Sequence, residues 1–111
     1  MNENYSVRIT PQAQTHLSEI TGYIANSLQA PTAALRLLDT LEEAINSLSF
    51  MPHRIALTDE EPWKTKGIYR MVVRNFLVYF WIDEQENTVH ITAVIYGRRD
   101  QAQQLAQMES E

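Results

Sequence analysis

There is no cysteine among the 111 residues, which excludes a disulfide framework and any thiolate metal site. Long apolar runs are missing as well. Nothing approaches the ~18 residues of a membrane span, and Met1 to Thr10 lacks the charged-then-apolar profile of a secretion signal. A basic excess is the third absence: fourteen acidic against nine basic side chains give a net charge of −5, contrary to a generic nucleic-acid binder. Neither a glycine-rich phosphate loop nor a nucleophile elbow occurs. The expectation is one domain over residues 1–111, able to build a core without staples. It is expected in the cytoplasm, with no membrane partner and no cofactor.

The charge is unevenly spread. Residues 1–52 carry two basic and five acidic side chains, and residues 53–100 carry seven of each. Three of those later acids, Asp83, Glu84 and Glu86, fall in one polar break, which leaves the surrounding surface locally basic.

What the chain does have is concentrated between Ile68 and Asp100. Ile68 to Arg74, Phe76 to Ile82 and Thr88 to Tyr96 are β-rich runs separated by turn signals, which predicts an antiparallel meander. The second and third runs are almost continuously apolar, so both sheet faces should be covered. The rest of the chain is expected to cover one face and a partner the other.

Upstream, Tyr5 to Ile9 alternates polar and apolar residues as a half-exposed edge strand does. Thr10-Pro11 then reads as a helix start. Ala13, Leu17, Ile20, Ile24 and Leu28 form one helical stripe, and Ala34, Leu38, Leu41, Ile45 and Leu48 form a second that ends before Pro52. Helices are expected over 11–27 and 31–50, followed by an exposed loop from Met51 to Lys66. A short helix is expected from about Asp100 to Met108. The fold class is α+β, in the order strand-helix-helix-strand-strand-strand, with a helical hairpin on one face of a four-stranded antiparallel sheet.

This order of elements, together with Gly67-Ile68-Tyr69-Arg70, Leu77-Val78-Tyr79 and Val94-Ile95-Tyr96-Gly97-Arg98-Arg99-Asp100, resembles the RelE/ParE superfamily of bacterial toxins. The resemblance spans Tyr5 to about Leu105. It implies the toxin of a type II toxin-antitoxin system, of the plasmid stabilisation kind, held inactive by a cognate antitoxin in a hetero-oligomer. RelE-like members resemble ribosome-dependent mRNA interferases, in which basic and tyrosine side chains hold and protonate the scissile phosphate. By resemblance the strand-two basic position falls on Arg70 and the basic position near the end of the last strand on Arg99, with Arg98 beside it; an interferase would use Arg70, Arg99 and, from a position outside the family's pattern, Tyr96. The interferase arginine ahead of the Leu-Val-Tyr core falls on Phe76, a second strand-two lysine near Val72, and the tyrosine of the terminal helix near Leu105. None of these three replacements holds a phosphate, and compensation would have to come from other positions, Tyr96 or Lys64 and Lys66. ParE-like members resemble poisons of DNA gyrase and need no such cluster, so a ParE-like reading is preferred over the interferase.

On that reading Arg70, Tyr96, Arg98 and Arg99 are candidates for target contact, and Phe80, Trp81, Arg70 and Tyr96 for antitoxin contact. Phe80 and Trp81 point to opposite faces, so one of them belongs to the core. Arg70 and Arg74, at even spacing on one strand, have an alternative role as ordinary surface charge or partners of acids. Trp63 reads first as an anchor for its loop. His16 with Glu19, His53 and His90 lack metal-ligand spacing. Two other classes also accommodate a two-faced apolar sheet: a non-toxic α+β binding module and a homodimer.

Overall fold

In the computed structural model, which describes residues 4–97, the first strand passes into the first helix at Thr10. Its Oγ1 accepts from the Ala13 N–H at 3.3 Å and donates to the Ile91 carbonyl at 2.8 Å. This caps helix α1 (Pro11–Gly22) and ties the cap to the sheet. Pro11 fills the first helical position, where no N–H is required. The helical path then widens over Tyr23–Ser27, with the Leu28 N–H reaching the Tyr23 carbonyl at 3.1 Å. The expected helix over 11–27 therefore ends in a π turn. Helix α2 runs from Pro31 to Asn46, and Ser47–Ser49 tighten into a 3₁₀ turn before Pro52.

Strands β1 (Ser6–Ile9), β2 (Tyr69–Val73), β3 (Phe76–Asp83) and β4 (Thr88–Tyr96) form one sheet in the order β1-β4-β3-β2. The meander is antiparallel as expected, but β1 pairs parallel to β4, from Ser6 opposite Thr88 to Ile9 opposite Ile91. The expectation of a wholly antiparallel sheet is corrected to a mixed one. Short turns force β2, β3 and β4 to reverse direction. The helical hairpin instead carries the chain from the β1 edge to the β2 edge, and a local residue pattern does not encode the direction of so distant a pair.

Both helices lie on one face. Leu17, Leu41, Ile45 and Leu48 pack there against Met71, Val78, Phe80, Val89 and Ile91. Phe80 is completely buried in this layer, which removes it from the antitoxin-contact candidates and leaves Trp81 as the surface member of the pair. Arg74 is corrected as well: it sits in the β2–β3 turn at φ +57°, not on the strand face beside Arg70. The terminal helix expected from Asp100 lies outside the described residues.

Candidate functional surface

The centre of the helix-free face is covered from within the chain, contrary to the expectation that only a partner would cover it. The loop after a second 3₁₀ turn, Pro52–Arg54, folds back across the sheet, and Trp63, 8% exposed, packs with Ile68 against Leu77, Tyr79, Ala93 and Ile95. Lys66 Nζ lies 5.2 Å from the centre of the Trp63 ring, within cation–π range. The loop also extends the sheet at its β2 edge, where Thr58 N–H donates to the Ile68 carbonyl at 2.9 Å and Arg70 N–H to that of Ala56 at 3.2 Å.

A polar node holds this loop down. Glu60 Oε1 accepts from Thr58 Oγ1 at 2.7 Å and from the Tyr79 hydroxyl at 3.2 Å, with Arg70 Nη1 3.8 Å away. Burial, and then the charge of Glu60, push the Tyr79 phenol up to about 12, while Arg70 opposes the rise. Tyr79 therefore remains a hydrogen-bond donor across the neutral range. Arg70, one of the candidate site residues, is thus placed beside an acid and next to the Trp63 loop, as its surface-charge reading required.

Tyr96 is brought elsewhere. Cross-strand pairing sets it opposite Phe76, which in turn faces Val73, and Phe76 and Val73 both belong to the helix-side core. The Phe76 and Tyr96 rings pack at 5.5 Å between centroids. Arg70, opposite Tyr79, and Tyr96 therefore occupy opposite faces of the sheet. Phe76, where an interferase arginine would fall, is engaged in aromatic packing, and Val72 presents an uncharged side chain that is 65% exposed. Arg98 and Arg99 lie outside the described residues, as does Leu105. Among the described residues no group of three His, Asp or Glu side chains is arranged to hold a metal ion, and no helix is long and apolar enough to cross a membrane.

Among the described residues, a row on the helix-free face lies beyond the Trp63 loop, formed by Arg8, His90 and Trp81, neighbours across β1, β4 and β3. The Trp81 and His90 rings stack at 4.4 Å and 15°, and Trp81 is 38% exposed. Arg8 and His90 carry no distinguishing sequence signal, because only the register of three strands places them beside Trp81. Glu60 was also invisible as a functional side chain, since its partner Tyr79 lies nineteen residues away.

The same arrangement of elements recurs in solved structures. The chromosomal ParDE toxin-antitoxin system of P. aeruginosa contains a chain 18% identical, with a TM-score of 0.70, covering 86% of this chain and 98% of that one. The RelBE2 toxin-antitoxin complex of Mycobacterium tuberculosis contains one 23% identical, with a TM-score of 0.62, covering 84% of this chain and 98% of that one. The free RelE toxin of E. coli, carrying two substitutions, is 13% identical with a TM-score of 0.50, covering 97% of this chain and 93% of that one. No curated protein sequence matches. The model of the ParE toxins of type II toxin-antitoxin systems matches residues 7–101, nearly the whole chain. This chain belongs to the ParE toxin family.

Proposed function

We propose that the chain is the toxin of a toxin-antitoxin pair, restrained by a cognate antitoxin, and that it acts in the cytoplasm by binding DNA gyrase without cutting RNA. The observation that carries this reading is the engagement of Arg70. An interferase needs a strand-two cation free to receive a phosphate, whereas here Glu60 lies 3.8 Å from the guanidinium and the Trp63 loop packs across the same face. The aromatic pair at Phe76 and Tyr96 and the uncharged Val72 take two further positions where phosphate chemistry would want charge. The net charge of −5 adds to this, because it disfavours docking on a polyanionic ribosome.

A protein target asks for less. Arginine and aromatic anchors suffice for an interface, and on this reading Arg98 and Arg99, with Tyr96 beside them in sequence, form the target-binding end, while Arg70 holds the loop. The antitoxin partner is supported by the toxin-antitoxin assemblies named for the P. aeruginosa and M. tuberculosis relatives. The test is to induce the chain in a bacterial host and follow DNA and protein synthesis separately. DNA damage should precede any fall in translation, and Arg98→Ala with Arg99→Ala should abolish toxicity while the protein stays folded and antitoxin-bound. Translation stopping first, with mRNA cleaved, would transfer the chain to the interferase reading.

A further inference from the structure

The row of Arg8, His90 and Trp81 combines an aromatic platform with a cation that has no acidic partner among the described residues. Stacking fixes the Trp81 indole against His90, so the platform is ordered before anything binds it, and little side-chain freedom is lost on contact. Beside it, Arg8 is exposed and makes no ion pair or side-chain hydrogen bond among the described residues. Two of the three acids of the β3–β4 turn, Asp83 and Glu84, are already engaged. Asp83 Oδ1 accepts from the Gln85 and Glu86 N–H groups at 3.1 and 3.2 Å. Glu84 accepts from the Tyr5 hydroxyl at 3.0 Å and pairs with His53. Its carboxyl is held below the usual range first by the His53 contact and then by Tyr5. The row therefore offers an ordered aromatic surface with a cation beside it, and among the described residues no carboxylate is paired with that cation.

We infer that this row is where the antitoxin docks, through a segment that sets a carboxylate against Arg8 and an apolar side chain on the Trp81–His90 stack. The inference rests on the toxin reading above. Charge complementarity selects the occupant: a second copy of this chain would bring Arg8 toward Arg8 across a two-fold axis, and the acidic balance of the chain disfavours a nucleic acid.

The test uses the full-length chain with its cognate antitoxin, sought as the product of a small reading frame adjoining its gene, in a growth assay and in a binding titration; the lack of any such antitoxin would itself overturn the inference. The variants are Arg8→Glu, Arg8→Lys and Trp81→Ala. All three should arrest growth when expressed alone. Arg8→Glu and Trp81→Ala should resist neutralisation and bind the adjoining product at least about tenfold more weakly, while Arg8→Lys stays close to the parent. A carboxylate-to-lysine change in the adjoining product that restores binding to Arg8→Glu would identify the pairing side chain. If the parent chain is toxic and both weakened variants are still neutralised normally, the inference fails and the toxin reading stands. If the parent does not arrest growth at all, the toxin reading fails and takes the inference with it. Single-stranded RNA binding that depends on Trp81 would also overturn it.

Discussion

The Nδ1 of His16 accepts the backbone N–H of Val94 at 3.1 Å. Strand β1 ends at Ile9 opposite Ile91, so the outer edge of β4 loses its strand partner there, and a side chain from α1 takes over. An Nδ1 that accepts must be unprotonated. Burial lowers the His16 pKa below its ordinary value, with the charge of Glu19 acting in the opposite direction.

That depression has a definite sign. The unfolded chain takes up the His16 proton near pH 6.5 and the folded chain only at lower pH, so stability from this group is complete above about pH 6.5 and falls as the solution is acidified. His16→Ala should lower unfolding free energy near pH 7 by roughly 1–3 kcal/mol, because the Val94 N–H is left without its acceptor. In urea titrations at several pH values, the gap between the parent and His16→Ala should narrow below pH 6.5. A gap independent of pH would contradict this role.

Tyr79 sets the opposite, alkaline limit. Its phenol is raised to about 12, so its contribution is intact below the unfolded value near 10 and is lost as the pH rises from there towards 12, by roughly 2 kcal/mol. Tyr79→Phe should remove this limb, and at neutral pH it should cost about 1 kcal/mol for the lost bond to Glu60. Absorbance titration of the phenol alongside stability measurements checks both statements.

The two tryptophans should behave differently. Trp63 is 8% exposed and anchors the loop on the sheet, whereas Trp81 is 38% exposed. Trp63→Ala is expected to cost about 3–5 kcal/mol and to raise hydrogen exchange at Thr58 and Arg70, whose N–H groups bond within this region. Trp81→Ala is expected to cost about 1 kcal/mol, the scale of one aromatic pair. Equal losses would mean that the loop is not held by Trp63.

How much of this was legible in the sequence depended on distance along the chain. The stripes of α1 and α2, the Thr10-Pro11 start and the meander are local patterns, and Trp63 in a polar stretch was readable as an anchor. The direction of β1 was not, because its partner lies beyond both helices. Face assignment in β4 also escaped alternation. The register shifts between Tyr79 and Phe80, so His90 and Ala93 share the helix-free face although they are three residues apart. Counting by twos along an apolar run cannot reveal such a bulge. Arg70 and Tyr96, grouped as candidates, fell on opposite faces for another reason: the register sets Arg70 opposite Tyr79 and Tyr96 opposite Phe76, three residues apart on β3. The row of Arg8, His90 and Trp81 was likewise visible only once three strands were in register.

The central claim, that the chain binds gyrase and cuts no RNA, is tested most directly by one paired assay of the purified protein, on gyrase supercoiling and on ribosome-bound mRNA. Supercoiling should be inhibited while the mRNA remains intact. Cleaved mRNA with gyrase unaffected would contradict it.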